Sequence, residues 1–107
     1  MKKLRDFKAT FFKALANPIR IQIIDELRNG ELTVNELKKR LCIEAPNVSQ
    51  QLAILRSNSI VTTRKVGNNI YYSIRHATIF KMLDEAKKIF NEQLLDVRKL
   101  LKDLSKK

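Results

Sequence analysis

Residues 33–57 read TVNELKKRLCIEAPNVSQQLAILRS, and they carry the signals for two short helices joined by a tight connector. Thr33 followed three residues later by Glu36 fits a capping box, which satisfies two otherwise unpaired backbone donors at a helix start. The first helix is therefore expected over about 33–41. The second is expected over about 46–57, because proline is favoured in the first turn of a helix.

The second of these helices contains the longest uncharged run in the chain, APNVSQQLAIL at Ala45–Leu55. Charged residues make up 31% of the sequence, so a neutral run of this length stands out. Val48, Leu52 and Leu55 recur at helical spacing and are predicted to face a core. The polar side chains between them are amides and hydroxyls, which donate and accept hydrogen bonds without carrying charge.

The segments on either side continue the helical pattern, with one change of period. Residues 3–15 and about 77–104 carry apolar side chains at steps of three and four. Another helix is expected to start at Asn17-Pro18 and to stop at Gly30. IVTTRKV and NIYYSIR are rich in β-branched and aromatic residues, and the Gly-Asn-Asn between them suits a tight turn. The prediction is a mainly α protein with a β-hairpin (α+β) and five helices.

Composition bounds the class of protein further. The chain has 107 residues, 44% of them hydrophobic, which fits one globular domain. Its net charge of +11 favours a polyanionic partner such as nucleic acid, with a merely solvated basic surface as the alternative. No apolar run approaches the ~18 residues that span a bilayer, and charges interrupt any signal-peptide core, so a cytoplasmic location is expected. One cysteine and one histidine leave no zinc or iron cluster, and no cofactor is expected.

The apolar stripes of the first and last helices need a surface that covers them. A second copy of the chain, packed across a two-fold axis, covers them most economically, and packing on the chain's own domain is the alternative. The predicted dimer interface consists of Leu4, Phe7, Phe11, Leu83, Ala86, Phe90, Leu94, Val97 and Leu101.

Two short helices followed by a basic hairpin are the parts of a winged helix-turn-helix, whose second helix enters the major groove of DNA. Neutral amides and hydroxyls can distinguish base edges there. The predicted base-reading residues of this recognition helix are Asn47, Ser49, Gln50 and Gln51. The first of the two short helices, over about 33–41, would brace the recognition helix. Phosphate contacts are expected on this bracing helix, on the recognition helix and on a wing over about 60–75, at Lys38, Lys39, Arg40, Arg56, Arg64, Lys65, Asn68 and Asn69.

Each of these residues has a structural alternative. The amides and hydroxyls of the recognition helix could be ordinary exposed polar groups, and Asn68 and Asn69 could serve only to form the turn. Arg20 could contact phosphate or cap its own helix, and the sequence leaves both open.

Four segments, in this order, resemble the ArsR/SmtB family of dimeric bacterial and archaeal repressors. They are ALANPIR at Ala14–Arg20, ELTVNEL at Glu31–Leu37, the xVSxxLxxLR pattern at Asn47–Arg56, and IYYSI at Ile70–Ile74. The resemblance covers about residues 7–76 and implies a dimer through the first and last helices whose operator affinity an effector lowers. Residues 1–107 are thus expected to form a single winged helix-turn-helix domain that represses transcription at an inverted repeat in double-stranded DNA.

The chain departs from the metal sites of that family. Many relatives carry a Cys-x-Cys pair where this chain has Thr33 and Asn35, which cannot replace thiolates as ligands for a soft metal. The second family site needs histidines on the last helix, and this chain has none beyond His76. No metal is expected at either site.

Cys42 is the remaining candidate for a chemical sensor, because oxidation in the connector would disturb DNA binding directly. A small packed side chain is the alternative interpretation, since redox sensors of the family generally use a cysteine pair. No enzyme is expected, because the sequence has no glycine-rich phosphate loop and no Cys–His or Ser–His arrangement. The alternative function is a winged-helix interaction module that binds an acidic protein partner.

Overall fold

Five α-helices and one two-stranded antiparallel sheet make up residues 1–106, the part of the chain that the computed structural model describes. The predicted fold class is confirmed. The elements, in chain order, are α1 Lys2–Leu15, α2 Pro18–Glu26, α3 Val34–Leu41, α4 Ala45–Ser57, β1 Val61–Val66, β2 Asn69–Ile74 and α5 Thr78–Ser105. Two compact units divide the chain, with α1 to β2 in the first, which ends at His76, and α5 in the second.

The predicted helix caps are present. The Asn17 side-chain oxygen accepts hydrogen bonds from the backbone N–H groups of Ile19 (2.9 Å) and Arg20 (3.1 Å) at the start of α2. At the start of α3, Thr33 Oγ1 accepts from the backbone of Glu36 (3.2 Å), and the Glu36 carboxylate accepts from the backbone of Thr33 (3.1 Å). These bonds pair donors that the helices themselves leave unused.

The end of α2 differs slightly from the prediction. The regular helix stops at Glu26, and a single 3-10 turn, Leu27–Asn29, continues it to Gly30. Gly30 has a φ of +138°, in a region that side chains with a Cβ avoid. The predicted glycine stop therefore holds, with a tighter last turn before it.

The hairpin pairs Val61 with Ile74 at its base and Val66 with Asn69 at its tip. Gly67 has a φ of +61° at the first central position of the two-residue turn, where glycine is favoured. Leu32 adds a contact that the sequence did not predict, because its N–H donates to the Tyr72 carbonyl (3.0 Å) and its carbonyl accepts from the Tyr72 N–H (2.8 Å). This bridge anchors β2 to the segment just before α3.

The core of the first unit lies where α4 meets α2, α3 and β1. Its fully buried side chains are Ile23, Ile24, Leu37, Val48, Leu52, Leu55, Ile60 and Val61. The predicted inward face of α4 is thereby confirmed. No polar or charged residue among residues 1–106 is buried, so apolar burial is what holds this core together.

The second unit is the 28-residue helix α5. At ~1.5 Å per residue it extends over about 42 Å. Large apolar side chains remain exposed along most of it, namely Ile89, Phe90, Leu94, Leu95, Val97, Leu100, Leu101 and Leu104. Even so, no helix within residues 1–106 is long and apolar enough to cross a membrane.

Candidate nucleic-acid interface

The outer face of α4 is a neutral stripe, which we define as Pro46, Ser49, Gln50 and Ala53. Ser49 and Gln50 are adjacent, each lies three or four positions from Pro46 and from Ala53, and all four residues are exposed. The opposite face of the same helix is buried, so the core fixes which side chains point outward. Arg56, in the last turn, is the first charged residue after the stripe.

Asn47 and Gln51 lie on the flank of α4, one turn apart, and both are half-buried. Gln51 Nε2 donates to Asn47 Oδ1 (3.1 Å). Gln51 Oε1 in turn accepts from Arg20 Nη1 of α2 (2.8 Å). Two of the four predicted base-reading residues are therefore joined in a chain of hydrogen bonds, while Ser49 and Gln50 project from the stripe.

Arg20 does not cap its own helix, which was one of the two roles that the sequence left open; its guanidinium instead bonds to α1 and α4. Its Nε donates to the Ala14 carbonyl (2.5 Å) and its Nη2 to the Lys13 carbonyl (3.4 Å). Carbonyls in the last turn of a helix lack partners within the helix. Arg20 supplies those partners for α1 and links them to α4 through Gln51.

Exposed cationic side chains occur on α3, on α4 and on the wing. Lys38 and Lys39 are exposed in the last turn of α3, Arg56 is exposed at the end of α4, and Lys65 is exposed on β1. Within residues 1–106, none of these four forms an ion pair with a carboxylate, whereas Arg40 Nη1 lies 3.5 Å from Glu26 Oε2. The four unpaired cations can therefore contact phosphate without first breaking an internal pair.

Arg64 differs from Lys65, its neighbour on β1. Neighbouring side chains of a strand point to opposite faces, and Arg64 lies over the Tyr71 ring, 5.4 Å from its centroid. Its Nε donates to Glu31 Oε2 (3.2 Å), and its Nη2 donates to Glu31 Oε1. The hydrogen bond from Arg64 lowers the pKa of the Glu31 carboxyl below its ordinary value of 4.5, and the same bond raises the pKa of Arg64. Arg64 thus fastens the wing to the segment before α3.

Glu31→Gln is expected to make stability less dependent on pH at the acid end. The Glu31 pKa is lowered in the folded state, so the pair stabilises the protein above pH 4.5 and loses this effect as the pH falls through the lower folded value. The wild-type protein should melt at a higher temperature than the variant at pH 7, and the difference should shrink as the pH falls below 4.5 and through the lower folded-state pKa. Melting curves of both proteins across this range provide the measurement, and a difference that grows towards low pH would contradict the assignment.

A cleft of ≈ 400 Å³ brings the recognition helix and the wing to one surface. It is lined by Ser49, Ala53, Arg56 and Ser57 of α4 and by Tyr72 of β2. The neutral stripe and the Arg56 cation therefore border the same concave surface as the wing. At the wing tip, Asn68 lies in the turn and Asn69 pairs with Val66, and both asparagines are exposed.

The candidate sensor residues lie at the two ends of α3 and just before α5. Cys42 ends α3 in a left-handed conformation (φ +55°), is exposed, and donates its thiol to the Lys39 carbonyl (3.8 Å). The alternative of a packed cysteine is therefore wrong. Thr33 is used in the capping box, and His76 is exposed. No group of three His, Cys, Asp or Glu side chains that could hold a metal ion occurs within the described part of the chain.

The predicted dimer residues carry apolar side chains that water still reaches. On α1, Leu4 and Phe7 are exposed and Phe11 is half-buried, with the Phe7 and Phe11 rings stacked at a centroid distance of 6.4 Å. On α5, Leu83 is half-buried, and the exposed members are Ala86, Phe90, Leu94, Val97 and Leu101. Each helix thus has an apolar stripe available for a partner.

Two helices at the core, a paired wing, a neutral stripe on α4 and exposed unpaired cations define a winged helix-turn-helix protein of the DNA-binding class. The family model described as "Bacterial regulatory protein, arsR family" matches residues 17–63. The chain belongs to the ArsR family of helix-turn-helix transcriptional regulators, and the resemblance seen in its sequence is confirmed.

Several characterised and uncharacterised relatives support this membership. The uncharacterized HTH-type transcriptional regulator Rv0081 of Mycobacterium tuberculosis is 39% identical over 94% of this chain and 90% of its own, and its crystal structure superposes with a TM-score of 0.79. The biofilm growth-associated repressor of Xylella fastidiosa is 33% identical over 87% of this chain and 82% of its own. The homodimeric winged helix-turn-helix DNA-binding domain of Mb0332 from Mycobacterium bovis has a TM-score of 0.78 at 30% identity, covering 87% of this chain and 86% of that domain.

Proposed function

We propose that this protein is a homodimeric transcriptional repressor that binds an inverted-repeat operator in double-stranded DNA. The observation that carries the proposal is the neutral stripe of α4, which shares one concave surface with Arg56 and with Tyr72 of the wing, in a protein whose α3, α4 and β1 carry exposed unpaired cations. Neutral polar groups discriminate base edges, and cations supply affinity that does not depend on sequence. The Xylella repressor and the homodimeric Mycobacterium bovis domain support repression and dimerisation.

We assign roles within the interface according to which side chains have no hydrogen-bond or ion-pair partner among the described residues. Ser49 and Gln50 project from the stripe and are assigned to base reading, together with the outward amide group of Asn47. The free cations Lys38, Lys39, Arg56 and Lys65 are assigned to phosphate. Arg40 and Arg64 would have to share or leave their carboxylate partners, so we assign them smaller contributions.

The apolar stripes of α1 and α5 are assigned to the dimer interface, as the family resemblance implied. A two-fold axis through these helices would set the two copies of α4 in successive major grooves, about 34 Å apart. All 107 residues would then act as one DNA-binding domain in the cytoplasm. We propose no metal at the family positions, because the Thr33 hydroxyl is already used to cap α3.

Selection of bound duplexes from a random pool tests the function directly. The wild-type protein is expected to enrich an imperfect inverted repeat with half-site centres one helical turn apart. The triple variant Asn47→Ala, Ser49→Ala, Gln50→Ala should still bind DNA through its cations but enrich no sequence, because the direct base contacts are gone.

The alternative function predicts a different outcome. A winged-helix module for an acidic protein partner would bind DNA through charge alone and enrich no palindrome in either form. An unchanged sequence preference in the triple variant would also refute the assignment of α4. The selection should be repeated with a thiol oxidant and with divalent metals, because a loss of enrichment under oxidant alone would make Cys42 the sensor.

A further inference from the structure

We propose that Arg20 is a specificity-determining residue that never touches DNA: through Gln51 it turns the Asn47 amide so that only its N–H groups face the major groove. This inference rests on the proposed function, since it concerns how α4 reads a base. It assigns Asn47 to a base edge that offers acceptors, with guanine preferred over adenine.

The direction of the hydrogen-bond chain follows from the chemistry of arginine. A guanidinium only donates, so the Gln51 atom that faces Arg20 Nη1 must be the amide oxygen. The Gln51 amide nitrogen then faces Asn47, and the Asn47 atom that meets it must be its oxygen. Arg20 therefore determines, through Gln51, which end of the Asn47 amide remains available to a base.

The position of Arg20 is fixed independently of DNA. Its Nε and Nη2 donate to carbonyls in the last turn of α1, so the guanidinium is held by three acceptors in two other helices. A guanidinium held by three bonds is a poor phosphate ligand, but it gives the Gln51 and Asn47 amides a fixed donor to orient against. Half-burial of Arg20, Gln51 and Asn47 limits competition from water for these bonds.

The consequence for base recognition is specific. A free asparagine commonly reads adenine with both ends of its amide, accepting from N6 and donating to N7. Here the Asn47 oxygen is held towards Gln51 by the bond that it accepts, so the end of the amide that points away from Gln51 is its NH₂ group, a donor. Guanine presents two acceptors, O6 and N7, in the major groove, so it matches a donor better than adenine does.

Gln51→Glu provides the sharpest test, because it should reverse the direction of the hydrogen bond between residues 51 and 47 while keeping the bond from Arg20. The introduced carboxylate still accepts from Arg20 but can no longer donate, so the Asn47 amide should turn, donate to the carboxylate and present its oxygen. Asn47→Ala first identifies the operator position that Asn47 reads. At that position, binding assays on the four base pairs should show the preference for guanine shift by about tenfold towards adenine or cytosine, which offer amino donors.

Arg20→Met provides the second variant. Without the guanidinium the amides can turn freely, so the preference at the same position should weaken, while the dependence of affinity on salt stays as in the wild type. A drop in the salt slope would show that Arg20 contacts phosphate and would overturn the inference. Melting curves check that the variants fold, and Gln51→Glu retains all three Arg20 bonds if Arg20→Met does not fold.

The outcomes also separate this inference from the proposed function. If the wild-type protein enriches no sequence, the proposed function fails. If it enriches an inverted repeat but folded Gln51→Glu keeps the wild-type preference at the Asn47 position, or if Asn47→Ala changes no preference at all, the inference alone fails. A shifted preference in Gln51→Glu with an unchanged salt slope in Arg20→Met establishes it.

Discussion

Leu94→Glu is expected to convert the dimer into a monomer and to lower operator affinity by on the order of 100-fold or more. Leu94 lies on the predicted interface stripe of α5, and a two-fold interface would bury two introduced carboxylates at once. A monomer can occupy only one half-site. Sedimentation equilibrium gives the mass, and titration of a labelled operator gives the affinity.

Leu95→Glu is the matched control, because it makes the same chemical change one residue further along. Leu95 is more exposed than Leu94 (62% against 41%), and helical geometry points it about 140° away from the centre of the stripe. It should remain dimeric and bind the operator nearly as the wild type does. Equal behaviour of the two variants would refute the assigned interface.

Raising the salt concentration from 50 to 200 mM is expected to lower operator affinity about 10⁴-fold, as for proteins that contact six to ten phosphates. Four unpaired cations per protomer, Lys38, Lys39, Arg56 and Lys65, give eight per dimer. Lys65→Ala should reduce the slope of log affinity against log salt by about two, since each phosphate contributes about 0.9 and the dimer has two copies.

Gln50→Ala serves as the control for Lys65→Ala. It removes a neutral side chain from the stripe, so the salt slope should remain unchanged while the preference at particular operator positions relaxes. Fluorescence anisotropy at five salt concentrations distinguishes the two variants. A slope that falls with Gln50→Ala, or fails to fall with Lys65→Ala, would contradict the division between base reading and phosphate binding.

Local signals were enough to predict most of the fold. The capping box at Thr33 and the Asn17 cap depend on residues three positions apart or fewer, and both are present. The helical period of Val48, Leu52 and Leu55 likewise identified the buried face of α4. Such features can be predicted because each depends on one element and its own periodicity.

The contacts that the sequence could not predict join distant parts of the chain. Arg20 meets Gln51 across 31 positions, and Arg64 meets Glu31 across 33. Each pair depends on how several elements pack, and neither residue type reveals which partner it will find. For this reason Gln51 looked like any exposed amide and Arg64 looked like any wing cation, although both have partners within the protein.

The exposed stripe of α4 also determines how the protein could be redesigned. None of Ser49, Gln50 and Ala53 contributes to the buried core or to a helix cap, so libraries at these positions can explore new operators with little risk to folding. Asn47 and Gln51 do not share this independence, because a change at either alters the hydrogen bonds of the other. With the proposed role of Arg20, an exchange of specificity between relatives would have to transfer the residue at this position together with the two amide residues of α4 that it orients.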